Sequence, residues 1–343
     1  MSQKGALTLA GPKQVEVAAL DREFESLWKE LVSAWKNDEA MMMAMQASTV
    51  NLVAAVASEA EAEAAADVIG DVIGRSPCRG LLLVSLSDVS ASQLGAEISV
   101  IGEHPPFGEK QVCCEMIRLE ASGAAAQTLP TLVESLYVPD LPIVVWWPGA
   151  PPLTHENFRR LAKSADRVVI DSESFGRGGL RELAAFIEYS RKLRTAVSDL
   201  NWARLTPYRQ LFAQFFDTAH GREQLDNIES VTIEAHEAAG LLMAGWLISR
   251  LGRGYKPLLR EAVNLKVTPG KAVFQSIAMK CSGGEFSVRR ADAEMVEARS
   301  HIGSETTARM ARVPLAPVAK WLSEEVGYSG RDRAFDAAVR AVA

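Results

Sequence analysis

Chemistry in this sequence could sit on its histidines, its cysteines, one glycine-rich loop and two segments dense in aromatic residues and arginine. His104, His155, His220, His236 and His301 are scattered along the chain. His236-Glu237 begins like the zinc motif H-E-x-x-H, but Gly240 stands where the second ligand would be. There is no C-x-x-C pair, and Cys113 and Cys114 are neighbours on an alternating strand, which sends their side chains to opposite faces. A metal site is therefore not expected. No G-x-S-x-G elbow is present either. Cys78, in Arg75-Ser76-Pro77-Cys78-Arg79, is the candidate redox thiol, because nearby arginines favour a thiolate. The other reading of Cys78 is a small buried residue at the start of a strand. Gly176-Arg177-Gly178-Gly179 follows a strand and opens a helix, a place where backbone N–H groups can hold an anion. It matches neither G-x-G-x-x-G nor the P-loop, so a plain βα turn is the alternative. None of these groups together names a reaction, and no cofactor is expected.

The two aromatic segments are more specific. In Asp140 to Pro152 a strand ends in Trp146-Trp147 and leaves through Pro148-Gly149-Ala150-Pro151-Pro152. In a parallel sheet the C-terminal strand ends are where ligands are met. Asp199 to Arg209 reads Asp-Leu-Asn-Trp-Ala-Arg-Leu-Thr-Pro-Tyr-Arg. Trp202, Arg204, Tyr208 and Arg209 are the residue types that dominate interface hot spots, so they join Trp146 and Trp147 as candidate partner-binding residues. The alternatives are core tryptophans and a helix entry stapled within the chain.

The elements that would carry these residues can be read from periodicity. Residues 15–45 read mostly as helix, with Leu20, Phe24, Leu27, Trp28, Leu31 and Trp35 on one face and a methionine run at 41–45 behind it. From residue 48 a βα rhythm sets in. Strands are expected at 50–57, 79–86, 96–101, 110–119, 141–147 and 167–170, with a turn at 105–108 pairing the third and fourth antiparallel. Ser58 and Glu61 form a capping box for the first intervening helix. Thr154 is read as the cap of a helix running to Ala165, and Thr206-Pro207 as N-cap and N1 of another. After about residue 225 the rhythm changes to a strand at 228–233, an apolar helix at 236–251, apparent hairpins at 262–267, 272–280, 286–290 and 295–299, and two C-terminal helices. The fold class expected is α/β: an N-terminal three-layer α/β domain with a largely parallel sheet, then a smaller α+β domain with an antiparallel sheet. The expected division is a helical extension at 1–47, the α/β domain at 48–222 and the α+β domain at 223–343.

Composition limits the function. The chain has 343 residues, 48% hydrophobic and 23% charged, with a net charge of −6. That balance excludes fibrous and disordered classes and disfavours nucleic acid as a partner. No apolar run reaches the roughly 20 residues of a membrane span, the N-terminus does not read as a secretory signal, and four cysteines suit a reduced, cytoplasmic setting. Residues 157–210 are net basic and 1–74 net acidic, as a charged partner or merely solvated helix faces would require.

Taken together, Asp140 to Pro152 with its Asp-Leu-Pro, Trp-Trp and Gly-x-Pro-Pro, Asp199 to Arg209, Ser76-Pro77-Cys78-Arg79 and Asp166 to Asp171 carry a resemblance. The chain resembles the glucose-6-phosphate dehydrogenase assembly protein (OpcA) family over residues 48–340. The resemblance implies a non-catalytic assembly factor or allosteric activator that binds glucose-6-phosphate dehydrogenase and supports the oxidative pentose phosphate pathway. Photosynthetic members of that family are linked to thioredoxin control, but no cysteine spacing here marks a dithiol switch. The competing expectation is a sugar-phosphate- or nucleotide-binding enzyme that uses Gly176 to Gly179.

Overall fold

The computed structural model describes residues 7–35, 45–46, 48–86, 89–102, 112–251, 259–328 and 330–343. In chain order its elements are β1 (Leu7–Val15), α1 (Leu20–Trp35), β2 (Met45–Gln46), β3 (Asn51–Val56), α2 (Glu59–Ile73), β4 (Arg79–Leu86), β5 (Gln93–Gly102), β6 (Val112–Ser122), α3 (Leu129–Glu134), β7 (Ile143–Trp146), α4 (Glu156–Ser164) and β8 (Arg167–Ile170). Then come α5 (Arg177–Leu193), β9 (Ala196–Asp199), α6 (Leu200–Ala213), α7 (Ala219–Glu223), β10 (Ile228–Ala235), α8 (Glu237–Leu251), α9 (Leu259–Ala262), β11 (Val263–Val267), β12 (Phe274–Cys281), β13 (Gly284–Arg290), β14 (Met295–Ile302), β15 (Glu305–Arg312), α10 (Val318–Gly327) and α11 (Arg333–Val342). The expected turn at 105–108 and most of the methionine run lie outside the described residues.

Contacts divide the chain into two units. One takes residues 1–170, 193–196 and 318–329, the other 171–192, 197–317 and 330–343. The main division falls at residue 170, whereas the change of strand–helix rhythm pointed to 222. The reason is that the last βα segments are tied to the C-terminal half: α6 packs on α8 and β13, and Arg191 of α5 pairs with Asp336 of α11 at 3.1 Å.

In the first unit the sheet runs β1-β5-β6-β4-β3-β7-β8, and β9 follows β8 at its edge, entering as Ala196 N donates to Asp166 O at 2.8 Å. The pairs from β6 to β8 are parallel, while β1 and β5 are antiparallel. The largely parallel sheet expected from the βα rhythm is what is found. All six residues of β3 are buried, as a strand covered on both faces requires. Ser58 caps α2 by accepting from Glu61 N, and Glu61 Oε2 accepts from Ala57 N at 2.9 Å. The N-terminal segment is not helical throughout: β1 pairs with β5 before α1 begins. Gly11-Pro12 and two register breaks hid β1 from an alternation test. The cap of α4 is His155, whose Nδ1 accepts from Asn157 N, and not Thr154. Arg167, only 4% exposed, is held by Tyr328 O at 3.0 Å and by Glu325 at 3.6 Å, which fastens α10 to β8.

In the second unit a separate six-stranded sheet has the order β11-β10-β12-β13-β14-β15. It is antiparallel except for β10 with β11, which are parallel and joined through α8. The hairpin expected between 262–267 and 272–280 is therefore absent, because β10 lies between those strands. β15 has no counterpart among the expected strands. Seven of its eight residues are exposed, which leaves no buried period to read. Helix α8 is apolar on nearly all sides because it is buried on nearly all sides. Its Gly245 lies so close to α11 that a Cβ there would stand 2.1 Å from the carbonyl oxygen of Ala338. Gly245→Ala should therefore overpack the α8–α11 crossing and lower stability by about 1–3 kcal/mol. Urea unfolding of the variant would read this as a lower midpoint at unchanged slope.

Candidate functional site

A set of interacting polar groups lies in the second unit, on the residues that leave the C-terminal ends of β8 and β9. Asp171 is the residue after β8. It caps a 3-10 turn at Ser172–Ser174 by accepting from Glu173 N. Asp199 is the last residue of β9 and the N-cap of α6, accepting from Asn201 N. Helix α6 thus begins seven residues earlier than Thr206-Pro207 suggested, and Pro207 sits inside it. Asp199 is an equally good cap, and the carboxylate that finds a partner fixes the start.

Asp199 is 1% exposed. Its Oδ1 accepts from Ser172 N and Asn201 N, both at 3.0 Å, and its Oδ2 accepts from Ser172 Oγ at 2.6 Å. Asn201 Nδ2 donates to Ser172 Oγ at 3.3 Å. Burial, and after it the neighbouring Asp171 carboxylate, push the Asp199 carboxyl up to about 7, against the pull of its hydrogen bonds. Beside it Arg204 forks onto Asp171, Nη1 to Oδ1 at 2.8 Å and Nη2 to Oδ2 at 2.7 Å. Glu173 adds a second carboxylate at 3.6 Å from Arg204. At the outer rim His236 stands 3.7 Å from Glu173 through Nδ1, and its Nε2 donates to Gly270 O at 3.0 Å.

The remaining residues of the Asp199–Arg209 segment also turn inward. Trp202 is 4% exposed, and its Nε1 donates to Asp332 Oδ2 at 2.7 Å. The other oxygen of Asp332 caps α11 by accepting from Ala334 N and Phe335 N. Arg209 lies with its guanidinium carbon 3.4 Å from the centre of the Trp202 ring. It donates to Trp202 O at 2.8 Å and Thr206 Oγ1 at 2.9 Å, in the turn where Pro207 has no N–H to give. Tyr208 is 3% exposed, packs on Phe274 and accepts from Arg290 Nε at 2.8 Å. Trp202, Arg204, Tyr208 and Arg209 are thus brought together as an internal staple. Sequence reasoning missed Asp171, Ser172, Asp332 and Arg290, the groups that receive them. Only Asp171 had a signal, its place directly after a strand.

The other candidates lie apart from this cluster. Trp146 is 3% exposed, in the core. Trp147 is half-buried, edge-on to Phe158 at 5.3 Å, and Gly149 and Ala150 beyond it are exposed. At the glycine loop a Cβ on Gly176 would lie 3.4 Å from Glu237 Oε2, and one on Gly179 would lie 3.0 Å from Phe175 Cγ. Gly178 has open space around it and Arg177 is exposed. The loop thus meets a carboxylate and a packed ring, surroundings that disfavour an anion. All four cysteines are buried and unlinked. Burial, with a smaller push from Cys114, raises the Cys78 thiol far above its ordinary value, the reverse of the arginine activation expected from Arg75 and Arg79. Cys113 and Cys114 are pushed up to about 11, chiefly by burial. Among the described residues no group of three or more His, Cys, Asp or Glu could hold a metal. What the Asp171–Asp199–Arg204 arrangement can do is hold two chain segments in register. Ser172 and Asp199 are closed to solvent, and Arg204 is already neutralised.

Similarity to known proteins covers both halves of the chain. Residues 70–185 match the family described as glucose-6-phosphate dehydrogenase subunit N-terminal domain, and residues 195–339 its C-terminal domain. The protein named putative OxPP cycle protein OpcA of Synechocystis is 30% identical over 192 residues, covering 53% of this chain and 39% of that protein. The protein of the same name from Synechococcus elongatus is 28% identical over 232 residues, covering 65% of this chain and 46% of that protein. The matches thus span less than half the length of these relatives. Among solved structures, glucose-6-phosphate 1-dehydrogenase from Mycobacterium avium is similar with a TM-score of 0.43 and 11% identity, over 85% of this chain and 91% of that one. A likeness of that size says nothing about what this chain does.

The cluster leads to two expected outcomes. The Asp199 carboxyl is neutral in the folded chain up to about 7 but ionises from about 3.8 once unfolded. Between those values the folded state holds the extra proton, so stability should fall as pH rises through that window. Asp199→Asn should flatten this slope in melts taken across it. Arg204→Ala combined with Arg209→Ala should melt earlier. Leaving Asp171 without its guanidinium costs about 3 kcal/mol for a buried pair, less any solvent that reaches it.

Proposed function

The chain belongs to the glucose-6-phosphate dehydrogenase assembly (OpcA) family, and on that premise we propose that it is a non-catalytic protein that binds glucose-6-phosphate dehydrogenase and favours its active form. The observation that carries this reading is the ordered match of both family domains along well over half of the chain. The role is one in the oxidative pentose phosphate pathway, in keeping with the OxPP designation of the similar cyanobacterial proteins. The cluster around Asp199 supports a partner role in a second way. Asp199 and Ser172 are bonded to each other and shut from solvent, and Asp171 is forked by Arg204, which is how a scaffold treats such groups and not how a reacting centre does.

The contact surface then has to be sought outside the staple. Trp147, with Pro148 beside it and exposed Gly149 and Ala150 beyond, is the aromatic corner of the sequence pattern that still reaches solvent. We assign it to the dehydrogenase contact. Trp202, Arg204, Tyr208 and Arg209 contribute by holding the second unit in its binding-competent shape, and Trp146 by filling the core of the first unit. The setting proposed is the cytoplasm, where the four buried thiols stay reduced. Among the described residues no helix is long and apolar enough to cross a membrane.

An effector shifts an enzyme only by its differential affinity for the enzyme's states. Titration of this chain into a steady-state assay of a cognate glucose-6-phosphate dehydrogenase should change KM or kcat, with a coupling of about 1–3 kcal/mol, a factor of roughly 5–150 in affinity. The chain alone should turn over neither glucose 6-phosphate nor NADP. Unchanged kinetics at saturating chain, or a ligand-induced rise in melting temperature with glucose 6-phosphate alone, would overturn the proposal in favour of a metabolite-binding role.

A further inference from the structure

Sheets end in edges, and the edges of this protein are treated differently. β1 is broken by Gly11-Pro12 and by two register irregularities. β9 has four residues, all buried. β11 has five residues and pairs parallel with β10. β15 is the exception: eight residues without proline, in unbroken register with β14 from Ile302↔Glu305 to Met295↔Arg312. It is exposed on both faces, with Met310 at 52%. Among the described residues no strand pairs with its outer side. A long, regular, uncovered edge is a template for another strand, and folded proteins normally blunt it.

The direction of its free hydrogen-bonding groups is fixed by the ladder. Val313 N donates to Glu294 O at 2.7 Å, and the same register continues along β14 and β15. In an antiparallel ladder bonded and non-bonded pairs alternate, so residues 305, 307, 309 and 311 bond inward to β14. The N–H and C=O groups of Thr306, Ala308, Met310 and Arg312 then point out from the edge.

We propose that this edge pairs with the β15 edge of a second copy of the chain, antiparallel about a two-fold axis through Thr307. The charges on the strand select both the partner and the register. Pairing about Thr307 places Thr306 against the partner's Ala308, so that outward groups meet outward groups. It also places Glu305 against the partner's Arg309, and the reverse, giving two symmetric ion pairs with a Thr–Thr pair at the axis. Pairing about residue 309 would set Arg309 against itself. Arg309 uses one donor on Leu211 O at 3.2 Å, and a guanidinium has five. The result is an isologous dimer in which two six-stranded sheets become one of twelve. Its contact is a strand edge and not a broad apolar face, so it should be reversible and concentration-dependent.

The test is light scattering of the full chain over the micromolar range, without any dehydrogenase. The wild type is expected to move from the mass of one chain to that of two. Ala308→Pro removes an outward N–H that β14 does not use, so it should stay at one chain with its melting temperature kept. Glu305→Arg, which sets like charges opposite each other, should do the same and serves if the proline variant fails to fold. Thr307→Cys should cross-link on mild oxidation, since the native cysteines are buried, whereas Ala308→Cys should not, because it faces the partner's residue 306. A wild type that remains a single chain at every concentration would overturn the proposal. So would a dimer that survives both Ala308→Pro and Glu305→Arg.

Discussion

The second unit is organised around one buried carboxyl group. Asp199 ends β9, caps α6 and takes both the N–H and the hydroxyl of Ser172, at distances of 2.6 to 3.0 Å. A carboxyl removed from water must be fully bonded or it destabilises the fold by several kcal/mol. Satisfying it therefore fixes the backbone just after β8 and the backbone just after β9 at once. Once Ser172 is placed, Asp171 is placed, and its fork onto Arg204 sets the rotation of α6. That rotation puts Trp202 where Asp332 can bond it and Tyr208 where Arg290 can bond it. One N-cap thus propagates into the docking of α11 and the anchoring of β13, through contacts that each have a donor and an acceptor.

Much of the fold was legible because burial leaves a period. The strands of the parallel sheet are continuous apolar runs, and Ser58 with Glu61 announces the helix that follows the first of them. What was not legible lacked such a mark. β15 has hardly any buried side chain, so no alternation betrays it. β1 is interrupted by Gly11-Pro12. The order of β10, β11 and β12 depends on which strand α8 returns to, a matter of packing that neighbouring residues do not encode. Thr206-Pro207 is a good local signal for a helix start, but tertiary bonding to Asp199 outweighed it.

The candidate residues show the same division between type and environment. Trp, Tyr and Arg close together describe an interface hot spot and an internal staple equally well, because both need large rings and forked donors. Distance alone separates the two. Here every arginine of the Asp199–Arg209 segment finds its acceptor within the chain, on residues up to 33 positions away. Cys78 is a parallel case. Arg75 and Arg79 flank it in sequence, yet the thiol is fully buried, and desolvation outweighs nearby charge.

On the function proposed above, a chain whose Asp199 and Ser172 are closed to solvent acts through surfaces and not through a cleft. That places the burden of recognition on features whose only marks are exposure and regularity. Trp147 is such a feature in the first unit, held edge-on by Phe158 with one side of its corner open. β15 is such a feature in the second, a ladder that ends, among the described residues, without a further strand. Backbone edges give affinity with little side-chain selectivity, so selectivity on β15 has to come from the few charges flanking it, Glu305 and Arg309. An aromatic corner works the opposite way, gaining affinity by burying a ring in a shaped pocket. The two devices suit different partners: a strand edge is complementary to its own copy, whereas a tryptophan corner needs a cavity that another protein must supply.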